Sequence, residues 1–89
     1  SETIVSPELI CYPNPVIDIL NVRINKIGNN SPDKILIYSY QGILQMTIDV
    51  QENQESQKIN IGNLDSGIYF IASFSNQTIL ETNKIIILR

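Results

Sequence analysis

Apolar and polar positions alternate along much of this chain with a period of two, which is typical of β-strands that bury one face. The clearest run begins near Asp18, where every second residue is a branched apolar one. A second run follows Gly42 and predicts the partner strand of a hairpin with one wet face. The apolar positions of the two runs are Leu20, Val22, Ile24, Leu44, Met46, Ile48 and Val50.

Three further segments are apolar on both faces, which predicts strands that are covered on both sides, at least in part. They span residues 34–40, 68–74 and 83–89, and the first is expected to lie in the centre of its sheet. The last segment carries an uninterrupted apolar run with a cation at each end. Such a strand either completes a sheet or offers its edge to a partner by strand addition.

Shorter segments fill the intervals between these strands. Residues 8–12, 59–61 and 78–81 each predict a short strand. The stretch 51–58 is the most polar part of the chain and is predicted to be a solvated loop.

Proline, glycine and asparagine mark the turns. Tyr12-Pro13-Asn14-Pro15 predicts a stiff bend, because each proline lacks an N–H, fixes its own φ and pushes its predecessor toward an extended conformation. Residues 27–33 predict a long turn, while Gln41-Gly42 and residues 75–77 predict shorter ones.

The stretch from Leu64 to Tyr69 has the spacing of a tyrosine corner, a feature of Greek-key sandwiches. Gly67 tolerates a positive φ, and Asp65 precedes it in the predicted turn. We expect the Tyr69 hydroxyl to donate to a backbone carbonyl near Leu64 or Asp65. A generic hairpin-to-strand transition is the simpler interpretation of the same turn residues.

Short strands at regular spacing, without helical periodicity, predict an all-β fold: an immunoglobulin-like Greek-key β-sandwich of about seven antiparallel strands. The 89 residues suffice for one domain with a modest core. Isoleucine is the commonest residue and Ala72 is the only alanine, a bias that fits pleated sheets.

Charge and hydropathy argue against a nucleic-acid-binding face and against a membrane-spanning helix. The net charge is −3 and the six basic residues are scattered along the chain, so a nucleic-acid-binding face is not expected. No apolar run approaches the ~18 residues that a membrane-spanning helix needs.

The chemistry available for catalysis is sparse. The chain has no histidine, which removes the usual general base and the common nucleophile pairs and metal-ligand sets. Cys11 is the single cysteine and is interpreted as a small buried hydrophobe. Asp33 and Asp65 lie in predicted turns, where capping explains them better than calcium binding does. We therefore predict neither enzymatic activity, nor a cofactor, nor a metal site.

Several pieces stand in a characteristic order: the Tyr-Pro-Asn-Pro bend with Leu20 and Val22, the Tyr38 strand with Gly42, the Leu64–Phe70 corner and the isoleucine-rich end. Together they make residues 11–89 resemble the type A C-terminal sorting domain of the type IX (Por) secretion system of Bacteroidetes. Residues 1–10 are then a linker remnant or a first strand. The motif residues carried over by this resemblance are Tyr12, Pro13, Asn14, Pro15, Leu20, Val22, Ile37, Tyr38, Gly42, Leu64, Gly67, Ile68 and Tyr69.

The resemblance implies a C-terminal secretion signal on a larger cargo protein, with the cargo domains upstream in the same chain. Its implied partners are the translocon, shuttle and sortase components of that system. The route leads through the periplasm to the cell surface or the medium, with removal of the domain by a sortase-like peptidase. For the recognition step we expect the last strand to act as an address, a translocon-recognition tail that consists of Lys84, Ile85, Ile86, Ile87, Leu88 and Arg89. The alternative, which can hold at the same time, is that Ile85 and Ile87 are core residues and that the two cations protect an edge from aggregation. The exposed edge of the tail also allows self-association between copies.

Two other functions remain open. An immunoglobulin-like adhesion or carbohydrate-binding module would share the fold, although the chain has no tryptophan for a sugar platform. A structural spacer would fit the sandwich but not the ordered motifs. The pair Ala72-Ser73 departs from the regular pattern and leaves open which face of the Tyr69 strand is the core.

Overall fold

A computed structural model describes residues 8–25, 32–51 and 55–88. Within these ranges the chain forms seven β-strands and no helix, as the sequence predicts. The strands are β1 (Glu8–Tyr12), β2 (Ile19–Asn25), β3 (Lys34–Ser39), β4 (Leu44–Asp49), β5 (Ser56–Asn60), β6 (Gly67–Ser75) and β7 (Thr78–Ile87). Most of the predicted long turn at 27–33, part of the predicted loop at 51–58, and Arg89 lie outside the described residues.

The strands form two antiparallel sheets, which confirms the predicted β-sandwich. One sheet has the order β1-β2-β5 and the other the order β4-β3-β6-β7. Hairpins join β3 to β4 and β6 to β7, while β2 pairs with the sequence-distant β5. This order is compatible with the immunoglobulin-like arrangement expected from the sequence.

The core lies between the two sheets, where the inward positions of the alternating strands meet. The side chains buried there are aliphatic, apart from Tyr69. Each fully buried one contributes about 1.5–3 kcal/mol to folding. The core side chains are Leu9, Val16, Leu20, Val22, Ile24, Ile35, Ile37, Ile59, Ile61, Leu64, Tyr69, Ile71, Ile85 and Ile87.

The structure settles which face of β6 is the core. Tyr69 and Ile71 point inward together with Ser73, and all three are buried. The opposite face is partly covered, since Ala72 is buried while Ile68 is exposed. The expectation of a strand covered in part on both sides is therefore confirmed.

The prediction of a loop across residues 51–58 was wrong at its end. Ser56, Gln57 and Lys58 begin β5, where they pair with Arg23, Val22 and Asn21 of β2. An edge strand needs only one neighbour for its backbone and leaves polar side chains in water, so the polar composition of this segment does not prevent pairing.

The prediction of two strands at the end of the chain was also wrong, because residues 78–87 form the single strand β7. Thr82 pairs with Ala72, so the ladder continues through the polar residues between the two predicted strands. The register of β6 and β7 shifts by one residue between Ser73, which pairs with Glu81, and Phe74, which pairs with Ile79. Asn76 and Gln77 close this hairpin with positive φ angles.

Candidate functional site

The Pro-rich bend carries the chain from β1 to the outer edge of β7. The Asn14 carboxamide binds there twice: its Oδ1 accepts from the Ile86 N–H at 2.9 Å, and its Nδ2 donates to the Lys84 carbonyl at 3.1 Å. Two residues farther on, Val16 donates to the Ile86 carbonyl at 2.8 Å and accepts from the Leu88 N–H at 2.9 Å. Four backbone groups on the free edge of β7 are thereby paired.

The local sequence explains how so short a segment makes this bridge. Neither Pro13 nor Pro15 has an N–H to satisfy, and both X-Pro peptide bonds of the bend are cis. Val16 then turns its side chain into the core, where it is fully buried, and forms a parallel bridge with Ile87. The bend thus places one polar side chain and one strand-like residue on β7.

A second set of contacts joins β1 to β7. The Leu9 N–H donates to the Glu81 carboxylate, and the Asn83 Nδ2 donates to the Leu9 carbonyl at 2.6 Å. Side chains of β7 therefore cap the exposed edge of β1, while the segment around Asn14 caps the edge of β7. One side of the sandwich is closed by these reciprocal contacts.

Cys11 lies in the same region and is half-buried. Burial raises the pKa of its thiol to about 11, the nearby Glu81 carboxylate acts in the same direction, and a hydrogen bond with Asn83 acts against them. The cysteine is thus a mostly protonated, poorly nucleophilic side chain.

Most of the predicted site residues fall into a buried group and a group exposed near the bend. The predicted positions that are buried form the scaffold: Leu20, Val22, Ile37, Leu64, Tyr69, Ile85 and Ile87. The predicted positions that are exposed and lie near the bend are Tyr12, Pro13, Asn14, Pro15, Lys84 and Leu88. The structure thus brings the Tyr-Pro-Asn-Pro motif together with the exposed residues of the tail, Lys84 and Leu88, on one surface.

The remaining predicted positions belong to the four-stranded sheet and its turns. Tyr38 and Phe70 pair across β3 and β6, and both are half-buried. Gly42 and Gly67 have φ angles of +83° and +154°, so both use conformations that favour glycine. Ile68 is exposed and lies directly opposite Ile86 in the ladder of β6 and β7.

The tyrosine corner is confirmed. The Tyr69 hydroxyl donates to the Asp65 carbonyl at 2.9 Å while the ring is buried against the core. This bond fixes the crossing from one sheet to the other just before β6 begins.

Four residues of this region were missed by reasoning from the sequence: Val16, Ile17, Glu81 and Asn83. The only signal for the first two is their position directly after Pro15, where an apolar pair follows a bend. Nothing in the local pattern marks the two polar residues, because they become significant only through their contacts with Leu9.

In the ranges that the structure describes, no group of three or more histidine, cysteine or acidic side chains could hold a metal ion. The same ranges contain no helix that is long and apolar enough to cross a membrane. The exposed side chains from Tyr12 to Asp18 are a phenol, two proline rings, an amide, an isoleucine and a carboxylate, and Lys84 of β7 adds an ammonium group.

Comparison with known proteins identifies the family of this chain. The family model described as the secretion system C-terminal sorting domain matches residues 10–88, which is nearly the whole chain. No curated protein and no solved structure shows significant similarity. The matched range includes both the bend and the described part of the tail, and the chain therefore belongs to the family of type IX secretion C-terminal sorting domains.

Proposed function

We propose that this domain directs a larger cargo protein, fused upstream, through the outer-membrane translocon of a type IX secretion system. Recognition follows passage into the periplasm. A sortase-like peptidase then removes the domain, and the cargo is anchored to the cell surface or released. Membership of the sorting-domain family supports export by this system. Removal by the peptidase and the fate of the cargo are part of the proposal.

One observation supports a signal that acts as a folded body. Ile85 and Ile87 of the predicted recognition tail are fully buried between the sheets, while Lys84 and Leu88 of the same tail are exposed. A receptor can therefore read the exposed positions only as the folded sandwich presents them.

A reporter fusion tests the proposal. Residues 1–89 are placed at the C-terminus of a fluorescent protein in a bacterium with a type IX system, and surface fluorescence is measured. We expect export of the fusion, no export in a host that lacks the translocon, and loss of the domain's mass from the surface product. Retention of the intact fusion in the periplasm of the competent host would contradict the proposed function.

Adhesion or carbohydrate binding is the second candidate, and one feature favours it. Tyr12, Asn21 and Lys58 lie in register across β1, β2 and β5, and they line a shallow hollow on the outer face of that sheet. An aromatic ring beside an amide and a cation suits an acidic sugar. Glycan-array binding that is lost in Tyr12→Ala, combined with absence of export, would favour this alternative.

A further inference from the structure

We propose that the translocon recognises this domain through an apolar side-chain patch assembled from three chain segments, rather than by adding a strand to β7. This inference rests on the proposed function and specifies its recognition step. We call the surface the junction patch and define it by the residues Pro15, Ile17, Ile68, Ile86 and Leu88.

The strand register brings these residues together. Ile68 pairs directly with Ile86 across β6 and β7. The isolated parallel bridge joins Val16 to Ile87, and the Leu88 N–H donates to the Val16 carbonyl, so Ile17 and Leu88 follow directly after paired residues. Since Val16 and Ile87 point into the core, their neighbours along each strand point outward.

The patch is aliphatic and open to solvent. Ile17 is 61 % exposed and Leu88 is 56 % exposed. Ile86, which pairs with Ile68, is half-buried. Single exposed apolar residues are ordinary on a protein surface, but a contiguous set rimmed by polar residues marks an interaction site.

The backbone edge beside the patch is already in use. The carbonyls of Lys84 and Ile86 and the N–H groups of Ile86 and Leu88 all bind the segment around Asn14. A partner strand would have to displace that segment and break four hydrogen bonds before forming its own. Side chains, by contrast, are accessible without any rearrangement.

Charge specifies the partner further. Lys84 lies on the same outward face of β7 as Ile86, and in the part of the chain described here no carboxylate lies within salt-bridge distance of its ammonium group. The chain as a whole carries a net charge of −3, so this cation is a local exception at the border of the patch. The partner that fits is an apolar protein surface with a carboxylate opposite Lys84.

The junction patch exists only in the folded domain, so recognition through it requires folding. Asn14 and Ile86 are 72 positions apart in sequence, and they meet only when both sheets have formed. An unfolded chain carries the same residues but not the junction patch. Recognition through this patch would therefore select domains that have completed folding.

The test is a pair of matched double variants in the reporter fusion. Ile17→Ser with Leu88→Ser removes the two most exposed aliphatic side chains of the patch and leaves every backbone hydrogen bond in place. Tyr40→Ser with Ile43→Ser is the control at the turn between β3 and β4, where the side chains are 71 % and 56 % exposed. Thermal unfolding of both purified variants checks that the fold is retained, since surface substitutions hardly change stability.

We expect surface fluorescence to fall at least tenfold in the patch variant and to stay within twofold of wild type in the control. Single substitutions of Lys84 test the role of its charge. Lys84→Glu should lower export at least threefold, while Lys84→Arg should retain it. Normal export of the patch variant would overturn the inference, because a strand-adding partner would still find its backbone edge. So would an equal loss in the control variant.

The outcomes also separate this inference from the function on which it rests. If the wild-type fusion is not exported by a competent host, the proposed function fails. If the wild type and the patch variant are exported equally well, the function stands and the junction patch is not its recognition surface.

Discussion

Tyr69 shows how a single side chain fixes the crossing between the sheets. Its ring is buried in the core and its hydroxyl donates to the Asp65 carbonyl. Tyr69→Phe keeps the ring and removes the bond, so we expect the free energy of unfolding to fall by about 1 kcal/mol, the usual net value of one hydrogen bond. Urea unfolding followed by fluorescence or circular dichroism measures it. A variant as stable as wild type would show that the corner does not depend on this hydroxyl.

Ser73 is the opposite case, a polar group that the core leaves unpaired. Its side chain is buried, and its Oγ has no hydrogen-bond partner in the part of the chain that the structure describes. Because an unsatisfied buried hydroxyl costs stability, we expect Ser73→Ala to raise the free energy of unfolding by about 1 kcal/mol. Ser75→Ala, at the end of the same strand, is the control. A loss of stability on replacing Ser73 would mean that its hydroxyl has a partner.

Cys11 gives a prediction that depends on pH. The pKa of its thiol is raised to about 11 by burial. Since the thiolate is the reactive form, alkylation by iodoacetamide at pH 8 should be at least tenfold slower in the folded protein than in urea. The rate in the folded protein should still be rising above pH 10. Equal alkylation rates in the two states would show that the fold neither shields the Cys11 thiol nor raises its pKa.

At the scale of elements, the bend and β7 depend on each other through the Asn14 carboxamide. Asn14→Ala leaves the Ile86 N–H and the Lys84 carbonyl without their partner. We expect unfolding to become easier by about 1–2 kcal/mol, since two hydrogen bonds are lost. Amide exchange of Ile86, measured by NMR, should accelerate more than that of Ile35 in the central strand β3.

Asn21→Ala is the matched control for this prediction. Its amide donates to the Tyr12 carbonyl at 3.2 Å and has no hydrogen bond to β7. Protection of the Ile86 amide should therefore be unchanged. Equal effects of the two variants on that amide would mean that Asn14 does not act through β7.

The elements also show which parts of the fold a local pattern can predict. The alternation around Leu20 predicts β2, because one face of that strand is buried and the other is wet. The polar start of β5 has no such pattern, because it lies at a sheet edge and pairs only with β2. The break expected near Thr82 does not occur, because continuous pairing with β6 outweighs the polar side chains there.

For the whole molecule, the sequence predicts the residues of the candidate site but not how they come together. The motif residues can be named from their order along the chain, and so can the corner at Tyr69. That these residues meet cannot be predicted in this way, since the contacts of Asn14 with Lys84 and Ile86 join positions that are 70 and 72 residues apart. Val16 and Ile17 acquire their positions only from that long-range contact.

Because β7 is part of the core, removal of the tail is expected to unfold the domain rather than only erase its signal. Deleting residues 84–89 takes out Ile85 and Ile87, both fully buried, which costs about 3–6 kcal/mol from apolar burial. It also leaves the carboxamide of Asn14 and the backbone of Val16 without their partners. A domain of this size has about 5–15 kcal/mol of stability in total, so the lost burial together with the broken hydrogen bonds is comparable with the lower part of that range.

The deletion should therefore collapse the dispersion of amide signals in an NMR spectrum and abolish a cooperative urea transition. Leu88→Ser should leave both unchanged, because Leu88 is exposed and contributes its backbone N–H rather than its side chain to the contact with Val16. A deleted domain that still unfolds cooperatively would show that the remaining sheets are stable without this strand. In that case loss of export on deletion would report directly on recognition. If the deleted domain unfolds as expected, only substitutions of exposed residues can separate the signal from the fold, since they leave the core of β7 in place.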